Sequence, residues 1–414
     1  MSELMAASGL VLLVAGGASL RLWLEARNQS WLARHGDEVP DGADLPCQRR
    51  AVAYGRARAR VAEAAALVDA AALLILSLGG GFALIDGAWS KLGAGPLTTG
   101  VGVLASMVLV MAGARAGLDA WKTLIVDRRF EIGRATIALF VIDRLKYWLA
   151  AALVLAPVSA LALWGLDRAG SWWWVYLWAL WASVTLAREW AAPVLLGPLF
   201  NRVTRLEPRA LRLRLRGLAA RCGLPVHDIA VIDASRRSAH GNARVEGLGR
   251  RRRVVLSDTL VRLLEADELE AVVAHELGHF ARRHAGRYLT IVLAARLAFL
   301  ALVAGFAGAP WFLGGLGFAP PSMHALVAAC AILWLALAPL ARPVTAFLLR
   351  AWELEADAYA AAWSDGGALA RALVKLHDNN AAALVPEPLY AALSLGHPPL
   401  ARRLAVLGAA PGGG

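Results

Sequence analysis

The chain has 414 residues, of which 58% are hydrophobic and only 18% are charged, and its mean hydropathy is +0.54. This balance excludes an ordinary soluble domain and indicates an integral membrane protein in contact with a lipid bilayer. The three cysteines are too few and too scattered for a disulfide framework or a cysteine-based metal site. The net charge of +12 requires no nucleic acid, because basic loops that face an anionic membrane leaflet account for it.

Seven runs of the sequence are long and apolar enough to cross a bilayer as helices, which takes about 20 residues each. In chain order they cover residues 4–24, 66–85, 99–120, 147–166, 172–199, 289–313 and 325–349. The first run has no basic segment before it and no convincing small-residue cleavage site, so we interpret it as a retained helix and not as a signal peptide.

Lysine and arginine are concentrated in the connections after the first and the third span. The second and fourth connections hold little beyond Lys91 and Arg168. By the positive-inside rule, the basic connections and the C-terminus face the cytoplasm. The composition, rich in Ala, Arg and Gly, suggests a high-GC bacterial gene, so we expect a multi-pass protein of a bacterial inner (plasma) membrane.

Two stretches outside the spans are long enough to fold, residues 200–288 and 350–414. Both are cytoplasmic in this topology, and we expect them to form one catalytic domain interrupted by two further spans in 289–349. Residues 1–199 then form an N-terminal membrane domain of five helices. In the first stretch, "HGNARVEGLGRRRRVVLSD" has two strand-like segments around a Gly-containing turn, which predicts a β-hairpin.

The segment "HELGH" places His275 and His279 four residues apart, so both imidazoles leave one face of a helix and can bind a single cation. Glu276 is offset by one position, where it can hold a water molecule beside the metal. Asp267 and Glu270 fit a capping box that would begin this helix. The pattern is typical of zinc hydrolases and predicts one Zn²⁺ per chain.

A catalytic zinc usually has three protein ligands and an open position for water. The best source of the third is the segment "ELEAD", in a strongly helical stretch directly after the last span. Glu353 and Asp357 share one face of that helix, whereas Glu355 points about 200° away from Glu353. The shared face offers one carboxylate for the metal and a second to accept the other N–H of a ligating histidine.

Two other functional classes are open at this point. A transporter would account for the spans, but it predicts broken helices and charges deep in the membrane, for which Arg115, Asp119 and Arg296 are thin support. A non-catalytic, zinc-stabilised scaffold would keep the histidines and have no need of Glu276. Cobalt or manganese would also fit such a site in vitro, with zinc the expected occupant.

The paired motifs "HELGH" and "ELEAD" resemble those of the type I CAAX prenyl proteases, which are integral-membrane zinc metallopeptidases of the sterile-24 type, and more distantly those of the HtpX proteases. Further segments are similar in the same order along most of the chain, among them "RRFEIGRATIALFVIDRLK", "LGPLFNRVTRLE" and "SLGHPPLARRL". The resemblance implies a mainly α membrane protein, with about seven transmembrane helices around an intramembrane chamber. A cytoplasmic, zincin-like α+β catalytic domain with a small β-hairpin or sheet would close that chamber.

The resemblance also implies roles for the residues of the two motifs. His275, His279 and Glu353 would be the three zinc ligands. Glu276 would be the general base that activates water. Asp357 would support a ligating histidine from behind.

Outside those motifs the resemblance implicates three further residues. Asn242 falls on the family's edge strand, which is similar to strands that bind an extended peptide by strand addition. His397 and Arg403 match C-terminal residues near the metal that would stabilise an oxyanion or orient the substrate. His284 also matches the family, but its spacing from His279 is wrong for the same metal, so it is left out of the ligand set.

The function implied is a membrane-embedded zinc metalloendopeptidase. Its substrate would be a membrane-associated peptide or protein, possibly lipidated, cleaved by water with Glu276 as the base. The alternative within the same class is an HtpX-like protease for membrane-protein quality control, without prenyl specificity.

Overall fold

The computed structural model describes residues 2–36, 45–191, 197–247 and 252–409. The helices of the first half are α1 (Glu3–His35), α2 (Leu45–Leu76), α3 (Gly81–Ser90), α4 (Pro96–Trp121), α5 (Asp127–Arg129), α6 (Ile137–Ala169), α7 (Trp173–Ala191) and α8 (Gly197–Phe200). The second half has β1 (Val203–Arg205), α9 (Arg209–Arg221), β2 (Asp228–Ile232), β3 (Ala243–Glu246), β4 (Arg253–Ser257), α10 (Asp258–Leu263), α11 (Ala266–Ala281), α12 (His284–Ala307), α13 (Pro310–Gly315), α14 (Met323–Trp363), α15 (Gly366–Asn379), α16 (Pro388–Ser394) and α17 (Leu400–Ala409).

The predicted mainly helical membrane protein is confirmed. Among the described residues, five helical runs are long and apolar enough to cross a membrane, or six if the pair α2 and α3, bent by 53°, is one span. The run at 137–189 folds back on itself, because the Tyr176 hydroxyl donates to the Leu161 carbonyl at 2.6 Å. Fifteen residues of straight helix would separate these two groups by about 22 Å. With α6 and α7 counted separately, the described chain makes seven apolar passes: α1, α2 with α3, α4, α6, α7, α12 and α14.

Helix α14 combines two regions that the sequence treats separately. It begins at Met323, capped by the Ser322 hydroxyl, and runs through Pro339 and Pro343 to Trp363. The last predicted span and the "ELEAD" segment are therefore one helix, without a break at position 349. The side chains of "ELEAD" are thus held in fixed register with the membrane bundle.

The sheet has the strand order β1-β2-β4-β3. Strands β3 and β4 are antiparallel, with Ala243 opposite Leu256, which confirms the predicted hairpin, although part of its turn lies outside the described residues. The sequence does not predict β1, nor the parallel pairing of β2 with β4. Within the described chain β3 is an edge strand, and it packs beside α11.

The membrane bundle and the domain outside it have separate apolar cores. Phe82, Leu300 and Phe318 are fully buried in the bundle. In the second core the sheet packs on α11, whose Val273 and Leu277 are fully buried. Helix α11 is thus anchored by hydrophobic burial on one side, which leaves its other side to carry polar groups.

The start of α11 differs from the prediction. Its N-cap is Glu265 and its capping partner is Glu268, and not Asp267 with Glu270. Asp267 instead accepts from Arg371 at 2.6 Å, and Glu270 accepts from two arginines of α9. The acidic start of the helix permits two capping registers, and these tertiary ion pairs favour the earlier one.

Candidate metal centre

The site forms where helices α11 and α14 cross with an unusually small separation. A Cβ at Gly278 would lie 3.0 Å from the Cβ of Tyr359 and 3.2 Å from the Cα of Ala356. A larger residue in the "HELGH" segment would push the helices apart, so the glycine permits the close approach. The crossing brings Glu353 of α14 over the two histidines of α11.

His275, His279 and Glu353 form the one group of three or more potential metal ligands found among the described residues, with their ligand atoms all within 4.8 Å of one another. The two Nε2 atoms are 3.1 Å apart, and the Glu353 carboxylate oxygens lie 3.3 Å from Nε2 of His279 and 3.7 Å from that of His275. Ligand atoms at about 2.0–2.1 Å from a tetrahedral zinc would lie about 3.3–3.4 Å from one another. The donor set therefore fits a metal ion of this kind, as the sequence predicts.

A buried carboxylate supports His275 from behind. Nδ1 of His275 lies 2.9 Å from Oδ1 of Asp357, a side chain with no solvent exposure. Arg403 donates to both Asp357 oxygens, from Nε at 2.7 Å and from NH2 at 2.6 Å, and its NH1 is 3.5 Å from Glu353. Such a partner fixes the imidazole so that Nε2 is the atom free to bind metal.

A second series of contacts, which the sequence did not predict, lies behind His279. Its Nδ1 is 2.9 Å from Nδ1 of His284, and Nε2 of His284 is 3.1 Å from Oε2 of Glu355. The His284 ring is 4% exposed and stacks on Trp352 at a centroid distance of 5.4 Å. His284 therefore lies outside the group of potential ligands and contacts one of its members from behind. Glu355, set aside in the sequence because it faces away from Glu353, contacts the other nitrogen of His284.

Comparison with known proteins agrees with this geometry. Residues 36–202 match the family described as "CAAX prenyl protease N-terminal, five membrane helices", and residues 206–410 match peptidase family M48. The CAAX prenyl protease 1 homolog of Arabidopsis thaliana is 31% identical over 300 residues, which cover 69% of this chain and 67% of that protein. The homolog from Oryza sativa subsp. japonica is 30% identical over 347 residues, which cover 77% of this chain and 78% of that protein.

The chain belongs to the CAAX prenyl protease family of M48 peptidases. Its fold is also similar to that of the crystal structure of S. mikatae Ste24p, with a TM-score of 0.91 and 24% identity over 97% of this chain and 99% of that one. The sequence-based prediction of a multi-pass membrane metalloprotease of the CAAX-protease type is confirmed.

In this protease Glu276 lies beside the two histidines without joining the ligand group. Burial raises the pKa of its carboxyl group, an effect that the positive potential of His275 and His279 offsets only in part. A carboxylate with a raised pKa is suited to accept a proton from water and release it again near neutral pH.

His397 of the protease lies on the open side of the site. Its Nδ1 is 2.8 Å from Oε2 of Glu353, while 76% of the side chain is exposed. The hydrogen bond to Glu353 raises the pKa of His397. Arg350 holds the segment before it by donating to the Leu395 carbonyl at 2.8 Å.

Asn242 immediately precedes β3, the edge strand. Its backbone N–H donates to the Ser257 hydroxyl and its carbonyl accepts from the Ser257 N–H, each at 2.8 Å. Within the part of the chain described, no hydrogen bond or ion pair joins Asn242 to the other predicted site residues. The structure therefore brings His397 and Arg403 to the metal ligands, and leaves Asn242 at the start of the adjacent strand.

Proposed function

We propose that the chain is a zinc-dependent endopeptidase that cleaves membrane-associated peptides or proteins. The observation that carries the proposal is the His275, His279 and Glu353 cluster, in which both imidazoles are fixed from behind. Zinc bound by these three residues would supply a Lewis acid that polarises a peptide carbonyl and acidifies a water molecule.

Other residues of the chain carry out the remaining steps of the reaction. Glu276 accepts a proton from the attacking water and passes it to the leaving amine nitrogen. His397, on the open side, donates a hydrogen bond from a ring N–H to the oxygen of the substrate carbonyl as negative charge develops there. Arg403 is a positioning residue, because two of its guanidinium nitrogens hold Asp357 and the third lies 3.5 Å from Glu353.

The substrate peptide lies along β3 in extended form in this proposal. An edge strand offers unpaired backbone groups that bind an extended chain, and β3 is adjacent to the helix carrying His275. The CAAX-type relatives support a substrate that carries a lipid near its C-terminus. A quality-control protease without that specificity is the alternative, and it would act equally on peptides with and without a prenyl group.

The first experiment measures zinc content and cleavage of an unstructured fluorogenic peptide by the detergent-purified protein. We expect about one zinc per chain, and we expect Glu276→Gln to keep its metal while its kcat falls at least about 100-fold. Glu189→Gln, the same change at an exposed position of α7, is the matched control and should cleave normally. If wild type and both variants bind zinc and none cleaves any peptide, lipidated or not, the catalytic proposal is wrong.

The second experiment compares a prenylated peptide with its unmodified twin. A kcat/KM that is at least about tenfold higher for the prenylated peptide supports lipid recognition, since burying even a few methylene groups contributes about 0.8 kcal/mol each. Equal values favour the quality-control alternative.

We also propose that the active site faces the cytoplasm of a bacterial cell, with the chain divided at 199/200, 288/289 and 349/350. Glu353 lies about 45 Å along α14 from Met323, at the opposite end from the contact of His324 with Asp86. Basic residues cluster toward the Glu353 end.

Cysteines introduced for exposed Lys91 and Arg209, in a background without Cys47 and Cys222, should react with an impermeant maleimide from opposite sides of oriented vesicles. Reaction of both from the same side would contradict this topology.

A further inference from the structure

A cleft of about 350 Å³ lies between α1 and the segment that leads into α16. Among the described residues its lining includes one stripe of α1 with an acidic residue opposite, namely Trp23, Arg27, Ser30 and Arg34 facing Glu387. The α1 residues recur every three or four positions, so they share one face of the helix. None of these side chains belongs to the metal centre, and the proposed reaction uses none of them.

The cleft has more hydrogen-bond donors and positive charge than its own acceptors satisfy. One oxygen of Glu387 accepts from Nε and NH2 of Arg27 at 3.2 and 2.6 Å, and the other accepts from the Tyr390 N–H at 2.5 Å. Arg34 is held only through Nε, which donates to the Ser30 carbonyl at 3.2 Å. Within the described chain, NH1 of Arg27 and both terminal nitrogens of Arg34 donate to no acceptor. Two positive charges therefore face one carboxylate that is already fully engaged, and an anion is missing.

The position of the cleft along α1 indicates which anion is at hand. Helix α1 is long and apolar enough to cross a membrane, and its apolar run covers residues 4–24. Trp23 lies at the end of that run, 47% exposed, with its ring centroid 5.2 Å from the guanidinium carbon of Arg27. Arg27 follows the run by three residues, a rise of about 5 Å, and the headgroup layer on each side of a bilayer is about 5–8 Å thick. Tryptophan and arginine at such a position are typical of the membrane interface, so the cleft opens among lipid headgroups.

We propose that this cleft binds the headgroup of a phospholipid with a net negative charge. The phosphate lies between the guanidinium groups of Arg27 and Arg34, beside the Ser30 hydroxyl, and the acyl chains extend past Ala26 and Trp23. A guanidinium group donates two parallel hydrogen bonds to phosphate oxygens, which a lysine could not supply. Basic pockets beside transmembrane helices bind anionic headgroups in this way, and one phosphate balances the excess positive charge of the lining.

The opposite wall of the cleft leads toward the metal centre. Glu387 is fixed on α1, because its backbone N–H donates to Oδ1 of Asn28 at 3.1 Å and Trp31 donates to the nearby Val385 carbonyl at 3.2 Å. From Glu387, helix α16 runs to Ser394, three residues before His397. A lipid bound to Arg27 therefore contacts the same guanidinium group that holds the start of α16, and it should stabilise the segment 385–397. Binding itself requires no catalysis, so this site does not depend on the proposed function.

The direct test is native mass spectrometry of the detergent-purified protein with two lipids that have the same acyl chains. Phosphatidylglycerol carries a net negative charge, whereas the choline group of phosphatidylcholine neutralises its phosphate. We expect phosphatidylglycerol to bind about tenfold more tightly, close to the contribution of one hydrogen bond to a charged group. Equal affinity for the two lipids would overturn the proposal.

The variant Arg34→Gln tests the cleft itself. Arg34 is exposed, and its loss leaves the pair of Arg27 with Glu387 intact, so the fold should be retained. The preference for phosphatidylglycerol should disappear in this variant. Arg129→Gln, the same change at an exposed arginine outside the cleft, is the matched control and should keep the preference. An equal loss in both variants would mean that the preference comes from the overall positive charge of this face, and would overturn the assignment to the cleft.

Competition with inorganic phosphate separates a lipid site from a site for small anions. Inorganic phosphate at the same concentration as the lipid should not displace phosphatidylglycerol, because it gains no apolar contact with Ala26 and Trp23. Displacement at that concentration would show a site for small anions and would overturn the assignment to a lipid.

Hydrogen exchange tests the link from the cleft to α16. The amides of residues 385–397 should exchange more slowly in nanodiscs that contain phosphatidylglycerol than in nanodiscs of phosphatidylcholine alone. The difference should be absent in Arg34→Gln. Equal exchange of the wild-type protein in the two kinds of nanodisc would overturn the link to α16, and this measurement gives the same information whether or not the protein cleaves any peptide.

Discussion

The two imidazoles of the metal centre are supported from behind in different ways. His275 contacts Asp357, which is fully buried and held by two hydrogen bonds from Arg403. His279 contacts His284, whose other nitrogen reaches Glu355, a carboxylate that is 43% exposed. One support is thus a buried charge pair, and the other is a buried neutral ring that ends at the surface.

Because the two supports differ in charge and burial, we expect them to contribute differently to metal binding and to the stability of the fold. A buried charge pair is destabilising when one partner is lost, because the other is left without compensation in a medium of low dielectric constant. A neutral imidazole has no such penalty, and an exposed carboxylate is screened by water. We therefore expect changes to the residues behind His275 to lower both metal affinity and protein stability. Changes to the residues behind His279 should lower metal affinity alone.

The largest effect is expected from Asp357→Asn. The change removes the charge that balances Arg403 and weakens the acceptor for the His275 ring. Zinc affinity should fall about 10- to 100-fold, as for other partners of metal-bound histidines, and the free energy of unfolding should fall by about 3–5 kcal/mol. Competition with a chromogenic chelator measures the zinc affinity. Thermal unfolding of the metal-free proteins in detergent compares the stability of the variant with that of wild type.

The double variant Asp357→Asn with Arg403→Met serves as the control for that experiment. It removes both charges, so it should recover most of the lost stability while zinc affinity stays low. Recovery of both properties would show that Asp357 acts only through the fold. Loss of affinity without any loss of stability would contradict the coupling expected on the His275 side.

The residues that support His275 could be predicted from the sequence, whereas those that support His279 could not. Helical spacing alone places His279 one turn after His275, and Asp357 one turn after Glu353. His284 would point about 140° away from His279 in a continuous helix. It reaches His279 because α11 ends at Ala281 and Arg283 adopts a left-handed conformation, with φ of 55°, before α12 begins. No glycine marks that turn, so the sequence carries no ordinary signal for it.

Regular periodicity likewise explains which parts of the fold were predictable. Apolar runs locate the passes, and alternating residues locate β3 and β4. The reversal between α6 and α7 agrees with the two separate predicted spans, 147–166 and 172–199. The bend between α2 and α3 and the first β-strand depend on contacts between distant segments. The helix cap at Glu265 was missed for the same reason, since Arg371 occupies the competing Asp267.

A smaller effect is expected from His284→Phe. Phenylalanine keeps an aromatic ring stacked against Trp352 but offers no acceptor to Nδ1 of His279. Zinc affinity should fall about tenfold, the lower limit for such partners, because His279 is 28% exposed and water can replace the lost contact in part. Stability without metal should change far less than in Asp357→Asn. Unchanged zinc affinity would mean that His284 serves packing and not the metal.

The smallest effect is expected from Glu355→Gln, which tests whether the outer end of the His279 support matters. The amide oxygen can still accept from Nε2 of His284, and only the negative charge is lost. That charge is 43% exposed and lies 3.5 Å from Arg287, so water and this arginine screen it. Zinc affinity should fall less than about threefold, and the difference from wild type should shrink further as salt is raised. An effect as large as that of His284→Phe would show that the negative charge is transmitted through His284 to the metal ligand, and the two supports would then be alike in kind.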